Sequence, residues 1–380
     1  MDLRLFAAIL VGKSINLLIN LKGGGGTAAP GLYALKIDPN LVQKLSKNIK
    51  SGAIVIAGTN GKTTTARILA SLVSAKSKPI HNRQGSNLLR GIASTLIKNV
   101  SMAGNLDSNI AIWEADEAAL PQIIAQASPK TLVLLNLFRD QLDRYGEVET
   151  VREKWAKAIS TLPAGTKLIL NADDPSVSFL AKSFSGKPIY FGVQEKKLNL
   201  PTIENVADVR FCLNCGAKLK YDPIYSSHLG HWSCDKCQFS RKEPTISASG
   251  LEFNPDLSTK LRLTVNHQQS TVHYSLPGLY NVYNVLAASA AANNLEIDAE
   301  TIKSHLESFE AAFGRFQKLT VEGKNIVVFL IKNPAGANEV IRTISPLKNV
   351  ELLTLLNDNL ADGRDVSWIW DTNWEVLNRK

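Results

Sequence analysis

The chain has 380 residues, of which 44% are hydrophobic and 20% are charged. This composition is that of a folded globular protein, and the length is enough for two or three domains. The formal net charge of +9, from 43 basic and 34 acidic residues, favours an anionic partner such as a nucleotide or a membrane surface. No basic run is long enough to form a nucleic-acid-binding tail, and we therefore expect no nucleic acid among the partners.

The N-terminal region, residues 1–50, is predicted to be a helix and a loop that lead into the central domain. Its first twenty residues are rich in apolar side chains, but Arg4 and Lys13 interrupt them and leave no uninterrupted membrane-length span. We predict an amphipathic helix that packs on the protein, with a peripheral membrane contact as the alternative. A loop is predicted at residues 23–31 from its glycines and proline. Because an export signal is weak here, we expect a cytoplasmic protein, with a peripheral position at the inner membrane face as the alternative.

A strand, a glycine loop and a helix are predicted between residues 53 and 75. Residues 53–57 form a short apolar run bounded by glycines, which predicts a buried strand, and residues 63–75 have helical spacing. Further strands are predicted at 110–113, 131–135 and 167–171, and a further helix is predicted at 151–160. This alternation predicts an α/β fold with a parallel sheet and helices on both faces.

The pattern changes near Asp208 and again near residue 315. A cysteine-bearing insert is predicted at 208–241, followed by strand-like segments at 245–253 and 260–276 and a helix at 280–294. After residue 315 a second α/β pattern is predicted, with strands at 326–331 and 351–356 and a helix at 336–344. We therefore assign residues 51–314 to a central domain and residues 315–380 to a smaller C-terminal α/β domain.

The strongest candidate for a phosphate site is the loop Gly58-Thr59-Asn60-Gly61-Lys62-Thr63. Its glycines let backbone N–H groups converge on phosphate oxygens, and the start of the following helix adds a partial positive charge. Lys62 is placed to reach the β- and γ-phosphates, and the Thr63 hydroxyl is placed to ligate Mg²⁺. Because Ile56 replaces the first glycine of the general motif, a glycine-rich turn with a solvent-exposed lysine is the alternative.

The string Gly-Thr-Asn-Gly-Lys-Thr-Thr at residues 58–64 resembles the ATP-binding loop of the Mur ligase superfamily. The resemblance implies an ATP site formed by Gly58, Thr59, Asn60, Gly61, Lys62, Thr63 and Thr64. It also implies that Mg²⁺ is held by Thr63 and by an acid at the end of the strand at 110–113. Glu114 matches the metal-binding glutamate of the family and Glu117 is the reserve, while a solvated acidic turn is the alternative.

Two further strings resemble the family. In residues 136–143 Gln141 replaces the usual histidine, which weakens a metal role there and leaves Asp140 and Asp143 as polar candidates or helix caps. Residues 171–175 match a string that we expect to be mainly structural.

Two residues downstream are candidates for nucleotide contacts. Asn281 matches a family residue that contacts adenine, in a string where Tyr280 replaces histidine, and a plain helix cap is the alternative. Arg315 matches the arginine of the family's hinge, which helps to bind nucleotide as domains close, and a solvent-facing linker residue is the alternative.

The four cysteines of the chain occur in two Cys-x-x-Cys motifs, one formed by Cys212 and Cys215 and the other by Cys234 and Cys237. The two Cys-x-x-Cys pairs have the spacing of a zinc ribbon with four thiolate ligands. Such a closed site is structural and not catalytic. Disulfides are the alternative, which is disfavoured in a cytosolic chain, and His228 and His231 are alternate ligands.

The C-terminal third resembles one branch of the superfamily, the MurT family. The strings at residues 26–31, 332–336 and 356–371 carry this resemblance, and standard Mur ligases lack the ribbon. It implies ATP-dependent amidation of the D-glutamate carboxylate of lipid II through an acyl phosphate, with ammonia from a GatD-like glutaminase subunit. It also implies a catalytic aspartate among Asp358, Asp362 and Asp365, of which we favour Asp358. Lys62 would neutralise charge on the phosphates.

Other interpretations remain. The first is a Mur- or folylpolyglutamate-type ligase that adds an amino acid, and the second is a zinc-ribbon module that binds nucleic acid through Lys218, Lys220, Tyr221 and Trp232. A pure ATPase or regulatory switch is the third. Because family members usually continue well beyond the string at 356–371, we expect a C-terminal domain that is shortened or incomplete.

Overall fold

The structure, a computed structural model, describes residues 2–21, 23, 28–83, 86–139, 147–310, 316–358 and 366–378. Its helices are α1 (Leu3–Leu21), α2 (Ala29–Ile37), α3 (Leu41–Ser46), α4 (Lys62–Ser74), α5 (Leu89–Asn99), α6 (Leu120–Ala127), α7 (Val148–Ile159), α8 (Pro175–Phe179), α9 (Leu279–Asn294), α10 (Ala299–Glu307) and α11 (Pro334–Ile344). Its strands are β1 (Ala53–Ala57), β2 (Ile80–His81), β3 (Ala111–Ala115), β4 (Thr131–Leu134), β5 (Lys167–Asn171), β6 (Ile189–Val193), β7 (Lys220–Ser226), β8 (Leu229–Ser233), β9 (Ile246–Phe253), β10 (Thr259–Val265), β11 (Gln268–Tyr274), β12 (Phe316–Val321) and β13 (Lys324–Phe329). Short 3₁₀ turns lie at Leu180–Ser183, Ser367–Asp371 and Trp374–Asn378.

Nine of these strands form one sheet, in the order β11-β10-β9-β6-β5-β4-β1-β3-β2. The seven strands from β9 to β2 run parallel to their neighbours, and β10 and β11 add an antiparallel hairpin at one edge. The predicted parallel sheet is therefore confirmed. The predicted segment 260–276 is two strands, because Asn266 and His267 both adopt positive φ and form a tight turn between them.

Helices cover both faces of the sheet, and this explains why the sequence of β1 is apolar throughout. Ile54 and Ile56 belong to the core that includes α4 and α9, whereas Val55 belongs to the core on the other face, with α3 and α5. Successive side chains of a strand point to opposite faces, so a central parallel strand needs apolar residues at every position. The carboxyl end of β1 is thereby fixed in the middle of the sheet, where the phosphate loop begins.

The N-terminal region contains more helix than expected. Residues 30 and 31, predicted as loop, lie in the first turn of α2, where a proline is well tolerated because its missing N–H would have no helical partner. Gly31 packs directly on α5: a Cβ there would lie 2.1 Å from the Arg90 carbonyl oxygen, and its N–H donates to Ser94 Oγ at 2.8 Å. The α1 helix packs on α2 and α5, so the prediction that it packs on the protein is confirmed. The prediction of an amphipathic helix is wrong, because apolar residues also lie on its exposed side.

The C-terminal part is simpler than the predicted α/β pattern. The antiparallel pair β12–β13 and α11 are present, but the predicted strand at 351–356 is wrong, since these residues are irregular and exposed. The run is apolar enough for a strand, but its side chains are not buried: Leu353 is 80% and Leu355 is 85% exposed. A strand also needs a neighbour for its backbone hydrogen bonds, and the described residues place none beside it.

Candidate functional site

Two glycines allow the phosphate loop to turn from β1 into α4. Gly58 and Gly61 have φ of 150° and 90°, values that L side chains rarely adopt. A Cβ on Gly61 would lie 2.0 Å from Asn284 Oδ1, and one on Gly58 would lie 2.8 Å from Leu135 Cβ. The loop is therefore pressed against the segment that follows β4 on one side and against α9 on the other.

The loop is held by the segment that follows β4. Asn136 Oδ1 accepts from the Asn60 N–H at 2.8 Å, and Asn136 Nδ2 donates to the Asn60 carbonyl at 3.1 Å. The Thr59 hydroxyl donates to the Phe138 carbonyl at 3.2 Å and accepts from the Phe138 N–H at 3.0 Å. These paired bonds fix the loop before any ligand binds, which lowers the entropic cost of binding.

Lys62 is paired with a buried carboxylate. Its Nζ lies 3.0 Å from Glu117 Oε2 and donates to the carbonyls of Gly58 and Thr59, at 2.5 Å and 3.1 Å. The side chains of Lys62 and Glu117 are only 14% and 6% exposed. The alternative of a solvent-exposed lysine is therefore wrong, and Glu117, the reserve metal ligand, contacts the lysine.

Thr63 and Glu114 lie side by side, as a shared metal site requires. The Thr63 hydroxyl donates to Glu114 Oε2 at 2.7 Å, and His81 Nε2 lies 3.2 Å from Glu114 Oε1. Asn82 fixes the backbone of Glu114 through bonds of 2.9 Å and 3.1 Å. A hydroxyl and a carboxylate are ligands that Mg²⁺ prefers, so this pair suits the predicted ion, and Glu114 is buried and not part of a solvated turn.

The sequence interpretation missed His81 and Asn82. Both come at the end of β2, whose carboxyl end lies beside that of β3. The rule that ligands bind at the carboxyl ends of parallel strands would have pointed to them. The two-residue length of β2 left no apolar pattern from which to recognise the strand.

Asn281 and Asn284 lie on the first turns of α9, facing the loop. Asn281 Nδ2 donates to the Pro277 carbonyl at 2.7 Å, and Asn284 Nδ2 donates to Asn281 Oδ1 at 3.0 Å. The residue that caps α9 is Gly278, so the alternative of Asn281 as an N-cap is wrong. Burial, and next the Glu339 carboxylate, raise the pKa of Tyr280, so this phenol stays neutral.

A cleft runs between the phosphate loop and α11. Its lining includes Thr64, Asn281, Phe316 and Lys332, and it therefore joins predicted nucleotide contacts on the central domain to the C-terminal part. Thr59, Asn60, Gly61 and Thr64 of the loop line this cleft together with Asn281, and their contacts with a nucleotide stay a prediction.

The loop also contacts the C-terminal part directly. Asn333 Nδ2 donates to Asn60 Oδ1 at 3.0 Å, and Asn60 Nδ2 lies 3.3 Å from Asn333 Oδ1. Asn333 Oδ1 also accepts from the Gly336 N–H at 2.9 Å and so caps α11. One buried side chain thus links the phosphate loop to the start of this helix.

Several predicted residues have no described geometry. Asp140, Gln141, Asp143, Arg315, Asp362 and Asp365 lie outside the described residues. Asp358 is described and exposed, in the irregular stretch that ends at residue 358. Its catalytic role stays a prediction.

The four cysteines converge on one point, as their spacing predicted. Their Sγ atoms all lie within 4.8 Å of one another, and the Cys212–Cys237 and Cys215–Cys234 pairs are 3.5 Å apart. None of the four forms a disulfide, and sulfurs around a tetrahedral Zn²⁺ would be about 3.8 Å apart. The donor set therefore fits zinc, and the alternative of disulfides is wrong.

Both Cys-x-x-Cys segments have the same backbone turn. Gly216 and Gln238, each directly after the second cysteine of its pair, adopt φ of 72° and 59°. In each, the residue after the pair donates its N–H to the carbonyl of the first cysteine, at 2.8 Å and 3.0 Å. Two matching turns of this kind present four sulfurs to a single ion.

The two histidines of the insert face away from the sulfurs. His228 is fully buried with its ring 4.8 Å from that of Phe138, and His231 Nε2 lies 2.9 Å from the Val193 carbonyl. They are not metal ligands in this arrangement. Trp232 is 1% exposed and donates to the Ala172 carbonyl at 3.0 Å, so it offers no stacking surface for a nucleic acid.

These features define a nucleotide-binding fold of the Mur ligase type. A family model of the Mur ligase middle domain matches residues 56–292. The pseudomurein peptide ligase type C from Methanothermus fervidus superimposes with a TM-score of 0.62 at 27% identity, over 78% of this chain and 57% of that chain. MurF ligase from Thermotoga maritima, solved in complex with ADP, gives 0.59 at 16% identity, over 82% and 61%. This chain thus spans little more than half the length of these two proteins.

The C-terminal part narrows the class. A family model described as MurT ligase C-terminal matches residues 330–380. The lipid II isoglutaminyl synthase (glutamine-hydrolyzing) subunit MurT of Staphylococcus aureus (strain COL) is 34% identical over 380 residues, which is 100% of this chain and 83% of the relative. The chain belongs to the MurT family of Mur ligases.

Proposed function

We propose that the chain is the synthetase subunit of a lipid II isoglutaminyl synthase. It amidates the D-glutamate carboxylate of lipid II at the expense of ATP. The observation that carries this proposal is the similarity to the MurT relative along the whole chain, joined to a preformed phosphate loop. The same loop supports ATP as the nucleotide, since its glycines, lysine and threonine supply each type of contact that a triphosphate needs.

The chemistry activates an unreactive acid. A carboxylate oxygen of D-glutamate attacks the γ-phosphorus of ATP, the bond to the β-phosphate oxygen breaks, and ADP leaves. Ammonia then attacks the acyl carbon, phosphate leaves, and the nitrogen loses a proton to give the amide. Because the protein forms no covalent bond in this scheme, its contribution is positioning and neutralisation of charge.

The roles of the loop residues follow from their contacts. Lys62 exchanges its contact with Glu117 for the β- and γ-phosphate oxygens. Thr63 and Glu114 would hold Mg²⁺, which offsets the charge that develops on the phosphates. His81, in contact with Glu114, orients that carboxylate.

Other residues complete the proposed site. Asn281 contacts adenine, and Arg315 reaches the phosphates when the C-terminal part closes. An aspartate of the C-terminal segment, Asp358 or Asp362, orients ammonia or accepts its proton. Zn²⁺ in the four-cysteine cluster has a structural role, because a closed set of four thiolates leaves no open position.

Ammonia comes from outside this chain. All four cysteines of the sequence lie in the ribbon cluster, so no thiol is left to act as a glutaminase nucleophile. A GatD-like glutaminase subunit is the proposed source, in a complex that works in the cytoplasm at the inner face of the membrane, where lipid II is exposed.

The test is amidation of a lipid-linked precursor by the chain co-expressed with a glutaminase subunit. Lys62→Ala should abolish amidation, whereas Lys154→Ala, an exposed lysine on α7, should leave it unchanged. Full amidation by Lys62→Ala protein would contradict the proposal. Ammonium and amino acids are then compared as acceptors, and faster turnover with an amino acid would favour the amino-acid ligase instead.

A further inference from the structure

Helix α1 has two apolar faces, and only one of them is used within the described protein. Leu5, Ala8 and Ile9 are almost wholly buried against the protein. Gly12 belongs to the same face, and a Cβ there would lie 3.0 Å from the Ile97 side chain of α5. A helix that only packs on a domain needs one apolar stripe.

The opposite side of α1 carries an exposed apolar stripe, which Ser14 interrupts. Its residues are Leu3, Phe6, Leu10, Leu17 and Leu21, which are 88%, 40%, 47%, 60% and 75% exposed. These positions recur at helical spacing and run for about 27 Å along the helix axis at 1.5 Å per residue. Exposed apolar surface of this extent marks an interaction site.

The charges around the stripe indicate what covers it. At about 100° per residue, Lys13 lies about 20° beyond the nearest residue of the stripe, whereas Arg4 lies about 100° from it. Arg4 Nε instead donates to the Ile37 carbonyl of α2 at 2.7 Å. From residue 3 to residue 37 the sequence contains no acidic residue, and the preceding Asp2 is paired with Lys44 at 2.7 Å. An anionic surface fits this pattern, because long basic side chains beside an apolar stripe reach lipid headgroups while their stems stay apolar.

The neighbouring helix α2, which packs on α1, also has exposed apolar side chains. Leu32 and Tyr33 are 38% and 48% exposed, and Lys36 Nζ lies 5.2 Å from the centre of the Tyr33 ring. Tyrosine and lysine are both favoured at the boundary between lipid and water. The N-terminal helices thus expose further side chains of the chemistry that a lipid surface favours.

We propose that the apolar stripe of α1, in a segment that has basic and no acidic residues from 3 to 37, docks the protein on an anionic lipid bilayer. The helix lies along the surface of the bilayer and does not cross it. Although α1 is long and apolar enough to span a membrane, spanning would require Leu5, Ala8 and Ile9 to leave their contacts with the protein. The inference deepens the proposed function, on which it rests for a lipid-linked substrate, because docking brings the protein to the membrane that holds that substrate.

The experiment measures binding of the full chain to vesicles by sedimentation, without nucleotide or substrate. Vesicles that contain phosphatidylglycerol should bind the protein, and phosphatidylcholine vesicles should bind it weakly. The variant Leu3→Gln/Leu10→Gln/Leu17→Gln should bind about tenfold less or weaker still, since it removes exposed apolar area. The matched control Leu352→Gln/Leu353→Gln/Leu355→Gln changes three exposed leucines elsewhere and should bind like the parent chain.

Three results would overturn the proposal. They are failure of the parent chain to bind anionic vesicles, equal binding by the α1 variant, and an equal loss in the control. A fourth result, measured by light scattering, would also overturn it: if the parent chain self-associates and the α1 variant does not, the stripe is an interface between two copies.

Failure of docking can be told apart from failure of the proposed function. The α1 variant with its glutaminase partner should amidate a water-soluble, lipid-free analogue of the substrate at the parent rate and lose activity on vesicle-embedded substrate. If the parent complex amidates neither form, the proposed function is wrong while vesicle binding is judged separately.

Discussion

At the scale of single residues, Asp173 joins three parts of the chain that are far apart in sequence. Its carboxylate lies 2.6 Å from Arg241 Nε, accepts from the Tyr283 hydroxyl at 2.9 Å and accepts from the Val193 N–H at 2.8 Å. The side chains of Asp173 and Arg241 are 0% and 7% exposed. The ribbon, the sheet and helix α9 therefore meet on one buried carboxylate.

Loss of this charge should be costly. Asp173→Asn leaves the Arg241 guanidinium buried without its counter-charge, and we expect the free energy of unfolding to fall by about 3 kcal/mol. Urea denaturation would measure it, with Asp107→Asn, an exposed aspartate, as the control. A change under about 0.5 kcal/mol would mean that water already screens the pair.

Glu114 is the residue on which the proposed magnesium site depends. Glu114→Ala removes a carboxylate that Thr63 and His81 both contact. We expect the Mg²⁺ concentration needed for half-maximal nucleotide binding to rise at least about tenfold, because even the loss of a residue that only supports a metal ligand weakens metal affinity by about 10- to 100-fold, and Glu114 is proposed as a ligand itself. Titration calorimetry with a nonhydrolysable ATP analogue at several Mg²⁺ concentrations would measure it. An unchanged requirement would assign the metal to other residues.

At the scale of elements, the ribbon is a small unit with its own apolar cluster around Trp232 and the cysteines. So few buried side chains cannot stabilise it alone, and metal binding supplies the missing folding free energy. Purified protein should contain about one Zn²⁺ per chain. Chelation should then remove hydrogen-exchange protection from residues 208–241 first, while β1 and α4 stay protected. A zinc content near zero, or equal loss of protection in both regions, would contradict this.

Local signals predicted the element at the centre of the site well. The helix predicted at 63–75 is observed at Lys62–Ser74, and the strand at 53–57 is observed with the same bounds. The signals for β1 and α4 are local, because the glycines, the apolar run and the helical period all lie within a few residues of one another. The strand predicted at 351–356 failed because apolar composition is local, whereas strand pairing is set by a partner elsewhere in the chain.

At the scale of the whole molecule, contacts between distant segments were invisible in the sequence. Asn60 and Asn333 are 273 positions apart, and no spacing or composition connects them. Glu204 likewise accepts from Arg342 Nη1 at 2.7 Å and so ties α11 to the segment before the ribbon. Sequence patterns predicted the separate parts of the site, and the tertiary fold determined which of them touch.

The link between Asn60 and Asn333 should keep the C-terminal part seated on the phosphate loop. Asn333→Ser keeps an oxygen that can cap α11 but is too short to reach Asn60, whereas Asn333→Ala loses both. We therefore expect Ala to be less stable than Ser by about 1 kcal/mol, the usual value of an N-cap. Both variants should show faster hydrogen exchange at residues 58–62 and 334–344, because both release the loop from the helix. If only the Ala variant exchanged faster, the amide pair would contribute nothing beyond the cap, and Arg342 with Glu204 would hold the C-terminal part in place.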